Sequence, residues 1–428
     1  MIESILHPDP PANVTGALLT AYVLLDVFLI VVLARLLGTA MTKIRQPRVV
    51  GEILAGILLG PTLIGADLSL FIAPAEARPI ISAIATVALI MFMFLAGVEY
   101  DASVVAGMGK QAALLAITAV GIPAALGFPV AIAMHSSTYA GPQGQDFLSF
   151  ALFIGAALSV TAFPVMAHIL MERGELNTKM GALGVATTGM MSILMFLYIA
   201  FAASVAAARG FGSLLLKLGL VAVFGLVSWF VVRPALARFL PSADGGVIPG
   251  QTMAVVFAGM LLYGLVGDRL GIHALVGGFV WGLILPTDRG FRAAVSSKIK
   301  DVAMVMFLPV FFALAGFSTD LKLLSPDTLG IVGLVLAAAI GGKLLAAVPA
   351  RAFGIEWREV GILGALLNTR GLLVLVAGLI GLSLEIITTV TFTIIVMVAL
   401  VTNLMTLPLL DLFTPRSDEL ADLVEEST

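Results

Sequence analysis

Thirteen apolar stretches of roughly membrane-crossing length follow one another along the chain, and they limit the fold more than any other feature. A helix needs about 20 mostly apolar residues to cross the hydrocarbon core of a bilayer. The stretches run over 17–39, 49–70, 79–98, 111–134, 147–171, 180–208, 213–239, 247–267, 272–287, 301–317, 328–352, 359–382 and 386–412. The ninth is short and rests on its flanks, and no soluble domain fits between any two of them. Lipid offers no hydrogen bonds, so every backbone N–H and C=O must be satisfied within the structure, and runs of this composition fold as α-helices. The expected fold is an all-α polytopic membrane protein. One transmembrane domain spans 17–412, and an acidic tail at 413–428 carries Asp418, Glu419, Asp422, Glu425 and Glu426.

Composition narrows the chemistry. Apolar residues make up 60% of the 428 positions and charged residues 11%, against about 25% charged in an ordinary soluble domain. A net charge of −3 argues against a nucleic-acid partner. With no cysteine and four dispersed histidines, the sequence suggests neither a metal site nor a cofactor. There is no Gly-rich phosphate loop with its lysine, so transport would be secondary. No Ser–His–Asp constellation is discernible, so hydrolytic chemistry has little support. The opening Met-Ile-Glu-Ser, with no basic region ahead of an apolar run, reads as a mature terminus.

Loop charges give an orientation. Short loops rich in Lys and Arg stay cytoplasmic. Lys43, Arg45 and Arg48 follow the first stretch, Arg233 and Arg238 edge the seventh, Arg289, Arg292, Lys298 and Lys300 follow the ninth, and Arg351 and Arg358 follow the eleventh. All are odd-numbered loops. The N-terminus is therefore expected outside the plasma membrane and the C-terminus in the cytoplasm.

Two stretches carry interruptions. The fifth contains Leu158-Ser159-Val160-Thr161-Ala162-Phe163-Pro164-Val165, where Pro164 removes a backbone donor. The twelfth contains Leu367-Asn368-Thr369-Arg370-Gly371-Leu372, polar and flexible inside an apolar run. Unwound backbone at membrane depth survives only where it is buried in protein or lines a cavity. An interrupted helix in each half of a chain points to a transporter's binding site.

The motif Gln46-Pro47-Arg48-Val49-Val50-Gly51-Glu52-Ile53-Leu54-Ala55-Gly56-Ile57-Leu58-Leu59-Gly60-Pro61 resembles the second-helix signature of the monovalent cation–proton antiporters. The resemblance is to the branch of bacterial sodium/proton exchangers and glutathione-gated potassium efflux systems. Phe92–Asp101 (FMFLAGVEYD), Thr161–Gly174, Ile272–Gly282 and Asn368–Leu372 agree in order, so it covers about residues 20 to 412. It implies thirteen helices in two inverted repeats, with the broken fifth and twelfth helices crossing at the midplane. It further implies a core domain moving against dimerisation helices, and a homodimer with an ion or small-molecule substrate.

The sequence departs from the family where its ion chemistry lies. The resemblance places an acidic pair in the sixth helix, where a carboxylate can hold either a proton or a cation. Counting without gaps puts that pair at Met191-Ser192, and no Asp, Glu or Asn occurs between Lys179 and Arg209. A second family carboxylate falls on Val374, and an expected asparagine on Leu379. Lys343, about fifteen residues into the eleventh stretch, matches the family's buried basic residue; on the residues alone it is either that or a lysine snorkelling to an interface. With no carboxylate to pair it, a Lys343→Met change is expected to leave the protein as stable or more stable. Candidate transport residues are Lys343, Thr161, Pro164, Met191, Ser192, Asn368, Thr369 and Arg370, and candidate proton-linked residues are Asp26, Glu52 and His168. Met190, Met191 and Met195 read as helix packing or as a lining for an apolar ligand. The adopted reading is a secondary transporter of this superfamily with a diverged ion site, and the activity the resemblance implies is monovalent cation/proton antiport. Displaced acids such as Asp26 or Glu52 would have to carry it, and with no acid in the sixth helix ordinary sodium– or potassium–proton exchange is not expected. The alternatives are a carrier of an apolar or anionic solute, or a membrane enzyme or regulator built on the same scaffold.

Overall fold

The computed structural model describes residues 15–44, 46, 48–60, 72, 74, 76–99, 109–162, 166, 169, 170, 173, 175, 178–206, 211–240, 248–270, 274–286 and 288–413. Among them every regular element is a helix, apart from a single isolated antiparallel bridge between Ala140 and Ile387. The helices are α1 (Gly16–Lys43), α2 (Arg48–Leu59), α3 (Arg78–Glu99), α4 (Gly109–Met134), α5 (Phe147–Ser159), α6 (Lys179–Ala206), α7 (Phe211–Val227) and α8 (Arg233–Phe239). They continue with α9 (Gly250–Arg269), α10 (Ala274–Ile284), α11 (Arg289–Val302), α12 (Leu308–Phe317), α13 (Pro326–Ala347), α14 (Trp357–Leu367), α15 (Leu372–Ser383) and α16 (Thr389–Phe413). Wide π-type turns at Ser228–Val232 and Ala303–Phe307 join α7 to α8 and α11 to α12.

Among the described residues nine helical segments are long and apolar enough to cross a membrane, and four more apolar helices, at Val50–Leu59, Phe147–Ser159, Ala274–Ile284 and Leu373–Ser383, are shorter. They fall on the thirteen stretches read from the sequence. Four of them are too short, on their described residues, to cross alone. The chain is an all-helical multi-pass membrane protein, and the number of spans rests on those four. The acidic tail lies outside the described residues.

Two segments differ from their sequence reading. Residues 289–302, expected as a basic loop, form α11. There Arg292 donates to the carbonyls of Leu283 at 3.1 Å, Leu285 at 3.0 Å, Pro286 at 3.0 Å and Val98 at 3.0 Å. A guanidinium is thus spent on carbonyls at the ends of α10 and α3 that have no helical donor. The pair Asp268-Arg269, which in the sequence reads as an outer-loop turn, closes the last turn of α9.

The described residues divide into two compact units, residues 1–100 with 200–323 and residues 101–199 with 324–428. In the first, α1 packs on α2, α2 on α12, and α10 on both α3 and α9. In the second, α4 packs on α5 and α13, α14 on α13 and α16, and α15 on α5 and α16. Helices in lipid gain little from burying one apolar face on another, so close packing of small residues carries their association. The α4–α5 contact shows it. A Cβ on Gly127 would stand 2.4 Å from the Cα of Gly155, and one on Gly155 would stand 2.6 Å from the Tyr198 hydroxyl. That hydroxyl donates to the Leu152 carbonyl at 3.0 Å. A backbone clasp fixes one end of this unit. Gly141 N–H donates to Ile386 O, Gln143 N–H to Glu385 O and Thr388 N–H to Tyr139 O, each at 3.0 Å. It ties the approach to α5 to the exit from α15.

Gly127→Leu is expected to melt lower than wild type by the equivalent of about 1–3 kcal/mol or more, because the side chain meets backbone that cannot yield. Gly121→Leu, on the same helix with nothing within 4 Å of its Cβ position, is the control and should melt like wild type. Thermal melts of the purified protein in detergent check the pair, and equal melting of both variants contradicts the contact.

Candidate functional site

The two interrupted stretches meet in the second unit. Helix α5 stops at Ser159, and Val160 turns extended at φ −60° and ψ 140°. Helix α14 stops at Leu367, Asn368–Gly371 are not helical, and α15 begins at Leu372. Each break supplies what the other lacks. Ala162 N–H donates to Thr369 O at 2.9 Å, and Thr161 Oγ1 donates to Leu367 O at 2.7 Å. Thr369 Oγ1 donates to Leu366 O at 2.9 Å. Ser159, Asn368, Thr369 and Arg370 are fully buried, and Thr161 nearly so. Unwound backbone is tolerated here because the partner strand and hydroxyls satisfy it.

The C-terminal carbonyls of α5 are satisfied by cations. Arg370 donates from Nη1 to Ala157 O and from Nη2 to Leu158 O at 2.9 Å. Lys343, on α13 and fully buried, donates to Ser159 O and, at 3.0 Å, to Ala119 O. The Ala119 carbonyl is open because Pro123, four residues on in α4, has no N–H to give it. Arg370 is anchored through its own N–H to Asn403 Oδ1 at 2.9 Å. Lys343 does not snorkel to an interface. Neither cation has a carboxylate partner among the described residues.

The remaining candidates separate. Met191 is buried in an apolar cluster with Ala119, Ala346, Leu363 and Leu367. It therefore packs against the crossing, as helix packing and not as an open lining. Ser192 is half-buried and donates to Thr188 O at 2.9 Å within α6. Asp26 on α1 and Glu52 on α2 are buried but belong to the first unit. Both Asp26 oxygens lack a hydrogen-bond partner among the described residues. Pro164 and His168 lie outside the described residues. So the structure brings together Thr161, Lys343, Asn368, Thr369 and Arg370, with Met191 in an apolar cluster that includes Leu367, while Asp26 and Glu52 belong to the first unit.

The sequence matches the family model for the sodium/hydrogen exchanger transmembrane region over residues 28–411. This chain belongs to the sodium/hydrogen exchanger family. Among its relatives, the sodium/proton antiporter NhaS4 of Synechocystis is 34% identical over 90% of this chain and 96% of its own length. Cation/proton antiporter 20 of Arabidopsis thaliana is 32% identical over 94% of this chain and 49% of its own length. The chain thus spans about half the length of that plant relative. The solved structure of the sodium proton antiporter MjNhaP1 from Methanocaldococcus jannaschii superposes with a TM-score of 0.65 at 16% identity, covering 91% of this chain and 96% of the other. That likeness concerns the fold.

Several buried polar and capping features of the second unit escape a sequence reading. Asn403 holds Arg370 from α16, and its signal was a lone amide in an otherwise apolar stretch. Thr187 is fully buried with its hydroxyl unpartnered among the described residues. Pro123 signals a free carbonyl four residues upstream, but only the fold shows that Lys343 fills it.

These contacts reverse the expectation for Lys343→Met. The change removes a costly charge but strips the donor from two buried carbonyls, each worth on the order of 1–3 kcal/mol when left unmet. The variant is expected to melt below wild type in detergent, and a melting temperature equal to or above wild type contradicts the capping role.

Proposed function

We propose that the chain is a secondary transporter of the plasma membrane that exchanges a monovalent cation for protons through a diverged ion site. In this reading it works as a homodimer, N-terminus outside and C-terminus cytoplasmic. The observation that carries it is the crossing of two broken helices inside a chain of the exchanger family. Half-helix ends meeting inside a membrane protein form the ligand sites of transporters. Relatives named as sodium/proton and cation/proton antiporters support the substrate class. The basic residues of the odd-numbered loops support the orientation.

Cation coupling needs a carboxylate that holds a proton or an ion in turn. Helix α6 has none, so the role passes to Asp26 or Glu52, the buried acids of α1 and α2. Asp26 fits by having both oxygens unpartnered among the described residues. A second reading, carriage of an anionic solute, is favoured by Lys343 and Arg370, two buried cations facing only carbonyls.

In inverted vesicles with a preformed pH gradient, sodium or potassium is expected to dissipate the gradient, and Asp26→Asn or Glu52→Gln to abolish that response. Vesicles that hold their gradient against both cations overturn the exchange reading and leave the second.

A further inference from the structure

The polar groups at the crossing do not balance. Arg370 and Lys343 bring two basic groups to the C-terminus of α5, where the helix dipole offers about half a negative charge. Both side chains are fully buried, and no carboxylate among the described residues reaches either. Helix α6 cannot supply one, because no Asp or Glu occurs anywhere in Lys179–Ala206. Uncompensated charge at low dielectric is a costly state that a bound counter-ion relieves.

Hydrogen-bond capacity is left over at the same place. Arg370 Nε and both amide atoms of Asn368 are buried without a partner among the described residues. Lys343 has three protons and two carbonyl acceptors. The first amides of α15, at Gly371, Leu372 and Leu373, have no acceptor among the described residues and carry the positive end of that helix. Thr187 Oγ1 is also unmatched. It stands four residues before Met191 on α6. All these groups but one are donors, the exception being Asn368 Oδ1. The surplus is a set of donors beside basic side chains, which suits an anion.

We propose that a small carboxylate anion binds at this crossing and supplies the negative charge that α6 lacks. A carboxylate offers two oxygens with about four acceptor positions. It can meet Arg370 Nε and the third Lys343 proton together while the Asn368 amide takes a remaining position. A formate- or acetate-sized group, free or as the head of a larger solute, fits this donor set. The inference uses the family membership only for the position of α6. It does not depend on cation exchange, and its test reads binding, so the two can fail separately.

The test is the melting temperature of the full-length protein in detergent, with sodium chloride replaced stepwise by sodium formate or acetate at constant pH and ionic strength. A saturable rise is expected. In Asn368→Leu the apparent affinity for formate should weaken by about tenfold or more. Met191→Asp places a carboxylate against the crossing, and its melting should no longer respond to formate. If Asn368→Leu does not fold, Met191→Asp decides alone. Identical melting in chloride and formate at every concentration overturns the proposal. So does a formate shift retained at full size in a folded variant, which marks a general salt effect.

Discussion

The structure of the second unit depends on how the broken end of α5 is closed. A helix that stops inside a membrane leaves its last four carbonyls without donors, and lipid cannot replace them. Here Arg370 takes Ala157 and Leu158, and Lys343 takes Ser159. Those bonds draw four other elements to one point. Lys343 comes from α13 and reaches α4 through the Ala119 carbonyl that Pro123 leaves open, while Arg370 comes from the break between α14 and α15 and is held by Asn403 of α16. The tight α4–α5 contact at Gly127 and Gly155 allows this, because Lys343 must reach carbonyls of both helices at once.

The same bonds fix the electrostatic character of the site. Carbonyl oxygens satisfy the donors of Lys343 and Arg370 but do not cancel their charge. A carboxylate on α6 would do so, and the positions expected to hold one are an apolar methionine and a half-buried serine. Met191 is well accommodated by its alanine and leucine neighbours, so the apolar replacement is stably packed. The scaffold of an exchanger is retained, including the break, the hydroxyls that bridge it and the basic residues that cap it. Helix α6 carries no acid that could compete for proton and cation. In the proposed exchange reading, proton coupling falls to the buried acids of the first unit, Asp26 and Glu52.

Much of this was readable in the sequence, for identifiable reasons. Hydropathy located the helices because lipid imposes one periodic requirement on every span. Asn368, Thr369 and Arg370 stood out because polar residues are rare at that depth, and Lys343 because no other charge lies between Asp327 and Arg351. Tertiary pairing was not readable. Nothing local says that the Lys343 amine finds the carbonyl opened by Pro123, or that Asn403 accepts from the Arg370 backbone. The helix at 289–302 was missed because its charges resemble those of a cytoplasmic loop, whereas Arg292 spends its guanidinium on the ends of α10 and α3. The Lys343→Met expectation changes direction for a related reason. The charge was visible in the sequence, and the carbonyls that depend on it were not.

The most direct measurement is a cryo-EM map of the protein in a lipid nanodisc, resolved well enough to place the side chains of Lys343 and Arg370. The expected result has the Lys343 amine within hydrogen-bond reach of both the Ala119 and Ser159 carbonyls, and the Arg370 guanidinium on Ala157 and Leu158. A Lys343 or Arg370 side chain turned away from α5 to pair with Asp26, Glu52 or another carboxylate contradicts it.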